Sequence, residues 1–122
     1  MTSTAKYRYC KLYVRDWDRP KIYALIELSL GAVVDGDQAI AGGLLLDVRE
    51  NDEADVVRAD DFLYWPVIID VTADPSVDDS AVVASIGGLL RSAWSSGIDV
   101  VAACPFEDEL PSSGGIRRLR PP

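Results

Sequence analysis

At 122 residues the chain is the size of one domain, and its 48% apolar content is enough for a core of its own. Formal net charge is −8, but Arg117, Arg118 and Arg120 lie beyond Pro111, so residues 1–111 hold nine bases against 20 acids, a net of −11. A body that acidic repels nucleic-acid phosphate and anionic lipid, no apolar run reaches the roughly 18 residues of a membrane span, and the lack of any His removes the commonest general base and metal ligand.

The first six residues read as a loose leader without the apolar region of a secretory signal, so a cytoplasmic location is expected. Tyr7 to Val14 alternates, with Cys10, Leu12 and Val14 on one side and Tyr7, Tyr9, Lys11 and Tyr13 on the other, which is the period of a strand. Asp16-Trp17-Asp18-Arg19-Pro20 breaks that pattern and opens a helix, because an Asp carboxylate accepts orphan N–H groups and Pro lacks one. Trp17, between two acids in a turn, is a candidate exposed anchor. Ile22, Leu25, Ile26 and Leu30 form the helical stripe, and Gly31 is placed to end it. Asp35-Gly36 marks a tight turn inside a small β-excursion over 32–40. Gly42-Gly43 then precedes a firmer strand from Leu44 to Glu50, with Leu44, Leu46 and Val48 on one side and Leu45, Asp47 and Arg49 on the other. Residues 51–61 have no period and are strongly acidic, as in a functional or mobile loop.

Leu63 to Val71 alternates again. Leu63, Trp65, Val67, Ile69 and Val71 share one face, and Tyr64, Ile68 and Asp70 the other, with Pro66 indicating an edge position or a bulge. Asp74-Pro75-Ser76 opens a second helix with Asp78 and Asp79 in its first turn, where the dipole favours acids. Its stripe is Val82, Ile86, Leu89, Leu90 and Ala93, and Gly87-Gly88 suggests close approach to the sheet. Gly97 ends the helix, Ile98 to Cys104 forms the last strand, and Phe106-Glu107-Asp108-Glu109-Leu110-Pro111 is an acidic terminus. Residues 112–122 read as a flexible basic tail.

The order is that of a ferredoxin-like βαββαβ sandwich with an extra short β-piece: one α+β domain over residues 1–111, an antiparallel sheet with two helices on one face. A doubly wound α/β sheet competes, but two helices cover only one face. Cys10 and Cys104, each in an expected strand, read as buried thiols rather than a disulfide. The face away from the helices would show Tyr7, Tyr9, Lys11, Tyr13, Leu45, Asp47, Arg49, Tyr64, Ile68, Asp70, Val101 and Ala103. Contiguous patches of this kind mark association surfaces.

Catalytic chemistry finds little purchase. The carboxylate clusters Asp60-Asp61, Asp78-Asp79 and Glu107-Asp108-Glu109 match no metal-loop spacing, and neither a G-x-S-x-G elbow nor a P-loop occurs. No catalytic residue, metal ligand or cofactor is therefore assigned. An RNA-binding sheet would need the RNP aromatics and the opposite charge. The residues assigned to partner binding are Tyr7, Tyr9, Tyr13, Tyr64, Asp47 and Asp70, with Asp60, Asp61, Glu107, Asp108 and Glu109 as an acidic rim. They suit a basic protein partner. The alternative is a homodimeric small-molecule binder or enzyme using the open sheet face.

The stretch from Asp61-Phe62-Leu63-Tyr64-Trp65-Pro66 through Ala102-Ala103-Cys104-Pro105-Phe106-Glu107-Asp108-Glu109-Leu110-Pro111 resembles small acidic proteins of high-GC bacteria, the immunity-type partners of polymorphic toxins. The likeness covers the C-terminal half. It implies an inhibitor that occludes the active site of a basic toxin or nuclease with an acidic surface.

Overall fold

In the computed structural model, which describes residues 5–119, six strands make one antiparallel sheet. They are β1 (Tyr9–Val14), β2 (Val34–Asp35), β3 (Gln38–Ala41), β4 (Leu44–Glu50), β5 (Val67–Ala73) and β6 (Val100–Ala103), in spatial order β2-β3-β4-β5-β1-β6. Helices α1 (Arg19–Leu30) and α2 (Asp79–Ser95) pack together on one face, and a short α3 (Ile116–Leu119) follows the sheet. The α+β class agrees with the sequence pattern. The expected single β-piece is a hairpin, β2–β3, that extends the sheet beyond β4.

Local chemistry places each element. Asp18 caps α1 by accepting from the Lys21 N–H, and Gly31 ends it in the left-handed conformation. The Gly42–Gly43 pair, both at positive φ, makes the tight β3–β4 turn. Helix α2 begins at Asp79 rather than near Pro75, because the Asp74 carboxylate accepts from both the N–H and the hydroxyl of Ser76 and closes a separate turn first. The core lies between helices and sheet: Leu12, Leu46 and Ile69 from the strands meet Ile22, Ile26, Ile86 and Leu90 from the helices. Each such buried side chain contributes about 1.5–3 kcal/mol relative to exposure.

Several sequence expectations are corrected. The strand expected from Leu63 starts at Val67, because Asp61 accepts from Leu63 N–H and winds Phe62–Tyr64 into a 3-10 turn, and Pro66 has no N–H for the ladder. Leu63 is exposed instead of facing the helices. The last strand is shorter than Ile98–Cys104, since Ile98 N–H still bonds back to Ala93 O of α2. The close approach of Gly87 is to Pro111 (3.3 Å from an ideal Cβ), not to the sheet, and Gly88 has open space. The segment expected as a flexible tail is folded as far as Leu119: Pro111–Gly115 packs against α2 and β6, with Gly114 and Gly115 buried. Arg120 and the two prolines after it lie outside the described residues.

Candidate functional site

Strand register lays out the face opposite the helices. Asp47, Asp70, Lys11 and Ala103 line up across β4, β5, β1 and β6; Arg49, Ile68, Tyr13 and Val101 form the next row, and Leu45, Thr72 and Tyr9 the row on the other side. Asp47 directly opposite Asp70 is a like-charge pair that needs compensation. Arg49 supplies it, with Nε 2.5 Å from Asp70 Oδ2, and the Tyr9 hydroxyl donates to the other carboxylate oxygen. Burial works to raise the Asp70 pKa, yet the hydrogen bonds from Arg49 and Tyr9 outweigh it and hold the carboxyl below its usual range. Burial first, and then the bond to Asp70, push the Tyr9 phenol up to about 12.

A raised phenol pKa favours the folded state up to the unfolded value near 10 and loses that contribution as pH climbs toward 12. An alkaline absorbance titration is therefore expected to show a late phenolate step near pH 12 that Tyr9→Phe lacks. A Tyr9→Phe protein that retains this step would refute the assignment.

One end of this face is not open. The loop between β4 and β5 folds over the Tyr13–Ile68 end, and Ile68 and Val101, expected on an exposed face, are buried. Asn51 fastens the loop. Its Nδ2 donates to Leu63 O (2.9 Å) and Trp65 O (2.7 Å), and its Oδ1 accepts from Glu53 N–H (3.0 Å). Trp65 is buried beneath the loop, its Nε1 donating to Ala59 O at 2.8 Å, while Phe62 meets Tyr13 edge-on at 5.3 Å. Arg58 lies over the Tyr64 ring and donates to its hydroxyl.

Two hollows result. The first, about 390 Å³, lies between the sheet face and the inner side of the loop, with Lys11, Tyr13, Arg49, Asp52 and Tyr64 among its walls. The second, about 140 Å³ and largely apolar, opens at the sheet end between Trp17, Val56, Trp65 and Pro66. Around it Trp17 is 59% exposed, Val56 76% and Val57 87%. Asp52, Glu53, Asp60 and Asp61 are exposed along the same loop.

The expected partner-binding residues thus separate into three groups, the third being Tyr7 with Glu107, Asp108 and Glu109. Tyr9, Tyr13, Asp47 and Asp70 lie on the sheet face, and Tyr64, Asp60 and Asp61 on the loop that overhangs it. Tyr7 does not join them. It precedes β1 in a short 3-10 turn, stacks on buried Phe106 at 5.2 Å, and borders a hollow with Asp79, Ser80 and Val83 of α2. Its hydroxyl donates to Glu109 Oε2 (2.6 Å), which Lys6 also reaches at 3.3 Å. The bond from Tyr7 is the main cause of the depressed Glu109 pKa. Glu107 accepts from the Cys104 N–H, so one of the three terminal acids organises its own turn and another, Glu109, ties that turn to the N-terminal 3-10 turn.

Sequence reasoning missed Asn51, Arg49 as the partner of Asp70, and the valine pair beside Trp17. The neighbourhood of Val56 and Val57 among acids was the available signal, whereas nothing local marks Asn51. Arg8 was also unmarked: it bridges to Asp74 O (2.6 Å) and Asp79 Oδ1 (2.7 Å), tying the start of β1 to the start of α2. In comparison with known proteins, no family model matches the chain, nor does any curated sequence or solved structure.

Proposed function

We propose that the chain is a non-enzymatic acidic binding protein whose partner is a basic protein domain, docked over the loop-capped end of the sheet. The observation that carries this reading is the apolar hollow beside exposed Trp17, Val56 and Val57, set among the acids of the 51–61 loop. Exposed aromatic and aliphatic groups around a pocket give a partner an anchor, and the surrounding charge selects and steers a cationic one. The immunity or inhibitor role implied by the C-terminal likeness is the specific form of this proposal, with occlusion of a toxin or nuclease active site as its mechanism. The order β4-β5-β1-β6 with α1 and α2 on one face also supports a ferredoxin-like plan, with β2–β3 as an added edge hairpin.

Affinity capture from the cells of origin, followed by titration of the captured protein, tests the proposal. The partner is expected to be basic, binding to weaken with salt, and Trp17→Ala to cost about 2 kcal/mol, roughly thirtyfold. An acidic partner, or an affinity indifferent to both Trp17→Ala and the double change Asp60→Lys, Asp61→Lys, would remove its basis. A second reading draws on the 390 Å³ cleft, which is within the size of small-ligand pockets. A dimeric mass in solution together with retention of a metabolite in that cleft would favour this homodimeric small-molecule binder instead.

A further inference from the structure

The ladders on either side of β1 fix how its two neighbours face it. Against β6 the register pairs Leu12 with Ala102 and Lys11 with Ala103, and one step further sets Cys10 opposite Cys104. On the same register line Arg15 N–H donates to Asp99 O (2.9 Å), so the odd residues of β1 are the hydrogen-bonded partners of β6. Ala73 N–H donates to Arg8 O (2.9 Å), which independently assigns the even residues to bonding with β5. Cys10 therefore meets Cys104 at a non-hydrogen-bonded position, where antiparallel Cα atoms lie about 4.5 Å apart and side chains are closest. That spacing is inside the roughly 4.4–6.8 Å range of a disulfide. Cys10 belongs to the core between sheet and helices and Cys104 packs against that core, so the two thiols share one side of the sheet, and both are free.

We infer that Cys10 and Cys104 are a redox-modification site, a thiol pair that closes to a cross-strand disulfide on meeting a peroxide or a small-molecule disulfide. The two sulfurs divide the work by exposure. Cys10 is fully buried, whereas Cys104, just past the end of β6, is only partly buried. Contact with Cys104, then burial, raises the Cys10 pKa, and the same contact lowers that of Cys104, making Cys104 the readier thiolate. With hydrogen peroxide, the Cys104 thiolate attacks one oxygen, the O–O bond breaks, and a sulfenic acid forms as the departing hydroxide takes up a proton to become water. The Cys10 sulfur then displaces the sulfenic hydroxyl, which leaves as a second water carrying the Cys10 proton. Two thiols are oxidised by two electrons, and the peroxide is reduced. With a small-molecule disulfide, the Cys104 thiolate takes one half as a mixed disulfide while the other half leaves as a thiol. Cys10 then attacks the Cys104 sulfur and expels the bound half as a second thiol, its own proton going to that leaving group. The bond would pin the base of the acidic turn, because Cys104 N–H and C=O both bond to Glu107.

The test is oxidation of the folded full-length protein with hydrogen peroxide or oxidised glutathione, then unfolding in the presence of a maleimide and intact-mass measurement. The expected product has lost two hydrogen atoms, takes no maleimide, yields a linked peptide pair containing Cys10 and Cys104, and unfolds at higher denaturant until a reductant reverses the change. Cys104→Ser, at the partly buried position, is expected to fold and to lose all of these responses. Two maleimide adducts after oxidation, a lasting mixed disulfide or sulfinic acid on Cys104, or links formed only between chains would overturn the inference.

Discussion

Asn51→Ala is expected to lower the unfolding free energy by about 3 kcal/mol and to release the acidic loop from the sheet. Asn51 is the one buried polar residue among the described residues, and its side chain serves the carbonyls of Leu63 and Trp65 and the N–H of Glu53. Alanine leaves all three groups without this partner, at about 1–3 kcal/mol for each group that water cannot reach. The backbone bond from Asn51 N–H to Pro66 O (2.8 Å) remains, which keeps the loop ends together and limits the damage. Asn51→Asp is expected to be no better, because it faces two carbonyl oxygens with a carboxylate and retains only the acceptor. Denaturant unfolding gives the magnitude, and hydrogen exchange locates it: protection should fall most between residues 51 and 66. A loss below about 1 kcal/mol would mean that the loop is held by something else. Both hollows have walls on this loop. Partner binding should therefore weaken in a variant whose sheet remains intact.

That dependence explains what was legible in the sequence. Strand and helix periodicity reports burial, and wherever one face of an element meets the core the pattern named the right residues. Cys10, Leu12 and Val14 in β1 and Val82, Ile86, Leu89, Leu90 and Ala93 in α2 are all buried as expected. Periodicity failed where local side-chain-to-backbone bonds compete with it. Leu63 and Trp65 fit an alternating strand, but Asp61 captures the Leu63 N–H and the chain turns before β5 begins. The site suffered more, because its parts join through space. Tyr7 shares the odd-numbered pattern of Tyr9 and Tyr13, yet the 3-10 turn at Ala5–Tyr7 carries it to α2 and Glu109. The cover over Ile68 depends on where the acidic 51–61 stretch lands, and no local propensity encodes that. The Arg49–Asp70 pair needed the β4–β5 register, which only the assembled sheet supplies.

The second large effect is expected at Gly115, where Ala should destabilise the fold by about 3 kcal/mol or more. Gly115 has φ +102, a conformation that side chains resist, and an ideal Cβ there would lie 2.6 Å from Val100 O and 3.0 Å from Trp94 Cζ2. Val100 O is backbone in β6 and accepts the Trp94 indole N–H at 3.1 Å, so neither neighbour can step aside without breaking that bond. Gly97→Ala is the control: its φ is also positive (+78), but nothing lies within 4 Å, so only the conformational cost of about 1 kcal/mol applies. A difference of about 2 kcal/mol between the two variants is thus the excess from the clash and from the less favourable φ of Gly115, read from paired denaturant melts. Equal losses would mean that Pro111–Gly115 does not press on β6 as described. If the segment detaches instead of straining, the loss is capped at the value of its packing. Ile116 and Leu119 should then gain hydrogen exchange while β1 and β5 keep theirs. Detachment would also uncover β6, an edge strand of the sheet, so Gly115→Ala should aggregate more readily than Gly97→Ala at equal stability.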